Sequence, residues 1–200
     1  MRRSGFFSVA LLIISLLVNY GANVYVAIRG SNYVSDIFLD NLPTVNVGWI
    51  FFQGTAVFFL FIIWLLAKEP KKMPFVFKNI ALFILIRSAF ISMTHLAAPP
   101  GQPVLRLSNM FTEITSGNDL FFSLHTGLPF LMALIFWQNK RLRIFFIFVS
   151  LFFGASVLLG HLHYSIDVFA AFFITYGIFR IGRWLFPSDE KLFLESESSL

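Results

Sequence analysis

Six long apolar runs divide the chain, each close to the ~20 residues that a helix needs to cross a bilayer. They lie at about Phe6–Ile28, Val45–Ala67, Phe75–Leu96, Leu120–Trp137, Leu142–Gly160 and Tyr164–Phe186. Inside a membrane every backbone N–H and C=O must be satisfied within the protein, so only helices or a closed barrel can span. The runs are continuously apolar and lack the period-two alternation of a barrel strand. The expected fold is therefore all-α, a six-span transmembrane helical bundle that forms a single membrane domain over residues 1–186. A composition of 58% hydrophobic and only 12% charged residues excludes an ordinary soluble domain. The 28 phenylalanines, scattered through the runs, suit lipid-facing surfaces. Met1-Arg2-Arg3 followed by Phe6 to Val18 imitates a signal peptide, but no small-residue cleavage site follows, and the segment reads as an uncleaved first span. The stretch 187–200 carries Glu195, Glu197 and several serines, and is expected to be a disordered polar tail.

The basic residues set the orientation. One side receives Arg2, Arg3, Lys68, Lys71, Lys72, Lys78, Lys140, Arg141, Arg143, Arg180, Arg183 and Lys191. The other receives Arg29 and Arg106, and Arg87 is left inside the third span. The positive-inside rule then puts both termini in the cytoplasm. The net charge of +5 is explained by these topology clusters, without nucleic acid as a partner. There is no cysteine, and hence neither a disulfide framework nor thiolate chemistry.

This orientation brings all four histidines, His95, His125, His161 and His163, to the non-cytoplasmic side. Asp167 lies one turn into the sixth run and Asp119 precedes the fourth. Arg87, eight residues before His95, would lie about 12 Å deeper on a helix, with a side chain long enough to reach towards the same layer. A polar cluster near the outer interface is expected from topology alone. Ionisable groups inside apolar segments are expensive, which marks this cluster as a candidate site. His163 and Asp167 are four residues apart and would share one face of a helix. A carboxylate beside an imidazole fixes its tautomer and stabilises its cation, and His125 would then supply or remove a proton.

Each residue also has a plainer explanation. His163 with Asp167 can be a capping pair, and Asn118 or Asp119 can cap the fourth helix. His95, His125 and His161 can simply be interfacial, and Arg87 can be a buried structural cation or an anion clamp. His161-x-His163 with Asp167 has zinc ligand types, but no His-Glu-x-x-His pattern or cysteine pair accompanies it, and no metal is expected. No Gly-rich phosphate loop is present.

Two segments carry a family resemblance. Gly117-Asn118-Asp119-Leu120-Phe121-Phe122-Ser123-Leu124-His125-Thr126 resembles the Gly-Asp-x-x-x-Ser-Gly-His-Thr segment of the sphingomyelin synthase family, within the type 2 phosphatidic acid phosphatase superfamily. His161-Leu162-His163-Tyr164-Ser165-Ile166-Asp167-Val168 resembles that family's His-Asp-His-Tyr-Thr-Val-Asp-Val segment. A weaker echo is Arg87 with Thr94, Pro99, Pro100 and Pro103. The resemblance covers about Arg87 to Phe186, which would be the catalytic half.

The resemblance implies an integral membrane enzyme that moves a phosphorylated head group between lipid alcohols through a phospho-histidine. His163 would be the nucleophile, oriented by Asp167, and His125 the general acid and then base. Arg87, Asp119, Ser123 and His161 would bind phosphate or substrate. The substrates implied are a phospholipid donor and a diacylglycerol or ceramide acceptor, with no cofactor. Apart from the resemblance, a compact chain without long soluble additions fits a bacterial inner membrane, and the charge distribution puts the site on its outer face. Leu124 and Leu162 stand where the family has Gly and Asp, and Val157 stands where the broader phosphatase signature has an arginine. The rival readings are a lipid phosphatase or phospholipase C-like hydrolase, and a non-catalytic lipid-binding relic of the fold.

Overall fold

The computed structural model describes residues 2–29, 32–99 and 120–197, with side chains from residue 4 onward. The described residues form helices and connecting turns, with no strand. We number the α-helices α1 (Arg2–Arg29), α2 (Thr55–Lys68), α3 (Met73–Thr94), α4 (Leu124–Ile135), α5 (Lys140–Leu159), α6 (Ser165–Leu185) and α7 (Pro187–Glu197). A π-helical turn, Ile50–Gly54, leads into α2, and a short 3-10 turn, Pro70–Lys72, leads into α3.

Among the described residues five helices are long and apolar enough to cross a membrane: Ser4–Arg29, Ile50–Lys68, Pro70–Thr94, Lys140–Leu159 and Ser165–Leu185. The fourth expected span, Leu120–Trp137, contains only the twelve helical residues of α4. That is about 18 Å of helix, short of the ~30 Å hydrocarbon core. Local backbone explains the short length. Phe121 and Phe122 adopt positive φ, at 140° and 27°, which an extending helix cannot accommodate. Ser123 then caps α4, its Oγ accepting the Thr126 N–H at 3.4 Å. Pro74 in the first turn of α3 and Asn139, whose Oδ1 accepts the Leu142 N–H, start the neighbouring helices in the usual way.

The central helix is α3. It packs against α1 on one side and α6 on the other, while α4 lies between α5 and α6. Its apolar window is 61% buried, against 17% for α1, whose surface is largely outward. Not all phenylalanines face lipid. Phe58, Phe75, Phe83, Phe122, Phe136, Phe146, Phe153 and Phe193 belong to one buried cluster, with edge-to-face pairs such as Phe83–Phe122 and Phe58–Phe146. Lipid tails are as apolar as side chains, so packing and ring geometry stabilise such a core more than burial does. Others do point out, Phe6 and Phe173 being 80% exposed.

The disordered tail expected at 187–200 is corrected, because Pro187–Glu197 form α7. Phe193 is 1% exposed, seated against Phe75 and Phe136. Two ion pairs tie the helix down: Lys78 to Asp189 at 2.5 Å and Lys72 to Glu197 at 3.4 Å. The Ser4 hydroxyl also donates to Asp189 at 2.5 Å, so the two described ends of the chain meet at one end of the bundle.

Candidate active site

The opposite end collects the histidines. His95 follows the C-terminus of α3, His125 lies in the first turn of α4, and His161 and His163 occupy the turn between α5 and α6. Hydrogen bonds hold these turns together. Thr94 Oγ1 donates to the Leu120 carbonyl at 3.1 Å. The Ser123 N–H donates to the Asp167 carbonyl at 2.9 Å, joining the cap of α4 to the start of α6. Arg87, 1% exposed in α3, donates its Nε to the Phe122 carbonyl at 3.1 Å. Arg87 thus reaches the turn that leads into His125.

The expected histidine–aspartate pair is present, in a geometry other than one helical face. Tyr164 is the N-cap of α6, so His163 stands before the helix and Asp167 within its first turn. His163 Nδ1 and Asp167 Oδ2 are 3.3 Å apart. The same Oδ2 accepts the Tyr164 N–H at 3.0 Å, as a capping box requires. Asp167 is fully buried and His163 is 4% exposed. A carboxylate only accepts, so a hydrogen bond here places a proton on Nδ1, and in the neutral ring leaves the lone pair on Nε2. One atom, Oδ2, therefore makes both the imidazole contact and the capping bond. Its other oxygen, Oδ1, is buried without a hydrogen-bond partner among the described residues. Such a group calls for an explanation other than structural economy.

His125 lies between two rings, 4.1 Å from Phe51 and 6.0 Å from Phe153 by centroid. These contacts restrict its ring plane. The first-turn N–H groups of α4 point towards this end, where a helix N-terminus favours an anion. Ser123, expected to bind phosphate, is fully buried and serves as the α4 cap. His161 is held by its Nδ1 at 3.4 Å from Thr44 Oγ1 and its Nε2 at 3.2 Å from the Leu42 carbonyl. Its backbone has φ 51°, a left-handed conformation uncommon for a residue with a side chain. His95 packs on Tyr25, with centroids 5.2 Å apart. Asp119 lies outside the described residues. No group of three or more potential metal ligands occurs among the described residues.

Two functional candidates were not singled out by sequence reasoning. Asp36, in the segment between α1 and α2, accepts the Ser165 N–H at 2.6 Å on Oδ2 and the Phe38 and Leu39 N–H groups on Oδ1. Burial pushes the Asp36 carboxyl up, but the hydrogen bonds from Ser165, Leu39 and Phe38 outweigh it and hold it below its usual value. Tyr164 donates its hydroxyl to the Ala97 carbonyl at 3.0 Å and accepts the Val34 N–H at 3.3 Å. Burial raises the Tyr164 phenol, opposed by the Val34 N–H and assisted by the carboxylates of Asp167 and Asp36. The phenol stays protonated and able to donate. With the Val45 N–H to Leu159 carbonyl bond at 2.8 Å, residues 34–45 form a strap fastened along the His161–Ser165 turn. No sequence pattern distinguishes Asp36 from Asp40. Tyr164 lies inside the histidine motif, where its hydroxyl had no expected role.

A family model described as PAP2 superfamily C-terminal matches residues 116–184, about a third of the chain. The matched stretch holds Asp119, Ser123, His125, His161, His163 and Asp167, and stops short of Arg87. No curated protein and no solved structure matches the chain. The match supports the type 2 phosphatidic acid phosphatase superfamily and, with it, an enzyme of lipid phosphatase or phosphotransferase type. Together with the long apolar helices it indicates an integral membrane protein.

Proposed function

We propose that this protein is a lipid head-group phosphotransferase, similar to sphingomyelin synthases, working through a phospho-histidine. The observation that carries the reading is the buried His163–Asp167 pair, tied by the Ser123 N–H to the turn that presents His125. In the first step His163 Nε2 attacks the phosphorus of a phospholipid. The bond from phosphorus to the glycerol oxygen breaks, and His125 protonates the departing diacylglycerol. In the second step His125 takes the proton of an acceptor hydroxyl, which attacks phosphorus and breaks the bond to His163. Asp167 stabilises the cationic ring that each step passes through. Arg87 and the N–H groups at the start of α4 offset charge on the phosphoryl oxygens in the transition state. Asp119 contributes to substrate binding. Ser123 and His161 act by holding the backbone of the two turns, consistent with the bonds they make.

The lysine-bearing end faces the cytoplasm in this reading, and both termini lie there. The contact between Ser4 and Asp189 supports an even number of crossings, with α4 and its non-helical flanks completing the sixth. The site then opens at the outer leaflet, in a bacterium on the periplasmic side of the inner membrane. The acceptor is diacylglycerol or ceramide. Hydrolysis is the second reading, because the superfamily match does not separate phosphatases from transferases.

Purified protein incubated with labelled phospholipids, with and without diacylglycerol or ceramide, tests the proposal by mass spectrometry of products. Head-group exchange that requires a lipid acceptor supports the transferase. A water-soluble phosphate ester or free phosphate would establish hydrolysis. A folded protein inert towards a broad lipid panel would point to a non-catalytic relic.

A further inference from the structure

A cavity of about 360 Å³ opens at the end of the bundle remote from the histidines, between the C-terminal ends of α4 and α6 and the helix α7. Its volume falls within the ~300–1,000 Å³ of small-ligand sites. Leu134, Ile135, Phe179 and Phe193 give it an apolar wall. Trp137, Gln138 and Arg180 stand at its polar side. Among the lining residues the one carboxylate is Glu190, and it forms an ion pair with Arg183. Arg180 is exposed and has no ion-pair partner among the described residues. The cavity therefore combines one uncompensated cation with an apolar floor.

We propose that this cavity binds one anionic phospholipid of the leaflet on the lysine-bearing side. The phosphate would meet Arg180 and the Gln138 amide, and the upper acyl methylenes would lie along Leu134 and Phe179. The level of the mouth supports a lipid. Trp137 is 46% exposed and has the Arg143 guanidinium stacked on its ring at 4.7 Å, the amphipathic arrangement found at membrane interfaces. A soluble anion would leave the apolar wall unused. A zwitterionic head group would bring its own cation beside Arg180, losing much of the electrostatic gain. The site lies outside the groups assigned to the transfer reaction and does not depend on that assignment.

The test is lipid retention. Protein is equilibrated in nanodiscs of equimolar phosphatidylglycerol and phosphatidylcholine, extracted into mild detergent, and weighed by native mass spectrometry. Wild-type protein is expected to retain one phosphatidylglycerol with about five-fold preference, the effect of a single well-placed cation. Arg180→Gln should bring the ratio to parity, while Arg141→Gln, outside the cavity, should leave it unchanged. Because Arg180 is exposed, the variant should match wild type in thermal unfolding and in any turnover. Three results would overturn the proposal: no preference in wild type, preference retained in Arg180→Gln, or equal loss in Arg141→Gln, which marks a diffuse basic surface. Displacement by glycerol phosphate alone would do so too, since it would identify a soluble anion as the ligand.

Discussion

The two ends of the bundle bury charge in different ways. At the lysine end, cations meet carboxylates: Lys78 with Asp189, and Lys72 with both Glu69 and Glu197. At the histidine end the buried carboxylate Asp167 meets an imidazole and a backbone N–H, and one of its oxygens has no partner among the described residues. The backbone differs in the same sense. The positive-φ residues other than glycine, among those described, are His95, Phe121, Phe122 and His161, all at the histidine end. Each such conformation costs on the order of 1–3 kcal/mol and persists only where its surroundings enforce it. One end pairs its buried lysines with carboxylates and fastens the tail. The other holds strained turns in place around titratable groups, the arrangement expected where chemistry is done.

The largest effect should come from the histidine end without loss of fold. Asp167→Asn keeps an acceptor for the Tyr164 N–H and so preserves the cap, but cannot stabilise the imidazolium. We expect turnover to fall by about 10³-fold or more, with unchanged helix content by circular dichroism. His163→Ala should abolish turnover, and full activity in that variant would remove the mechanism.

The lysine end should show the reverse behaviour. Lys78→Ala leaves Asp189 buried without its cation and should cost about 3–5 kcal/mol, read as a lowered unfolding midpoint in detergent. Activity per folded molecule should stay near wild type. Replacing both partners, as Lys78→Met with Asp189→Leu, should recover most of that loss, because a buried pair is often matched by apolar residues of similar volume.

A smaller effect is expected just inside the lysine end, where α3 and α6 approach closely at Asn79 and Gly182. A Cβ on Gly182 would lie 2.0 Å from Asn79 Oδ1, an atom of a fully buried side chain. Gly182→Ala should destabilise by about 1–3 kcal/mol through overpacking. An unchanged melting curve would mean that the two helices are not so closely apposed.

The smallest effect concerns the strap. The Asp36 carboxyl is held below its usual value of 3.8, so its contribution is present above that pH and is lost as the pH falls through the lower folded value. The protection factors of the amides in residues 34–45, which are corrected for the intrinsic pH dependence of exchange, should hold at pH 5 and fall below about pH 3.8. Asp36→Asn should remove that dependence and loosen the strap by about 1 kcal/mol.

Much of this was legible in the sequence, for reasons that differ by element. The apolar runs announced α1, α2, α3, α5 and α6 because lipid demands continuity that few other environments require. The length of α4 was not legible, since Phe121 and Phe122 are as apolar as a helix would need and only their backbone departs from it. The His163–Asp167 pairing was visible in the spacing, but the reason for contact was not. The chain turns at Tyr164 to enter α6, and the two side chains meet across the cap. The order of α7 depends on Lys72 and Lys78, more than a hundred residues away in the chain, and on the burial of Phe193. Asp36 likewise works through Ser165, across a separation that no local pattern records.

The central claim is that His163 takes up the phosphoryl group. The most direct measurement is rapid quenching of the enzyme with a head-group-labelled phospholipid, followed by mass spectrometry of its peptides at alkaline pH. The account predicts an acid-labile phosphoramidate on His163 that still carries the head group, formed before product accumulates and absent from His163→Ala. Turnover with no adduct on His163, or with the label on another residue, would contradict it.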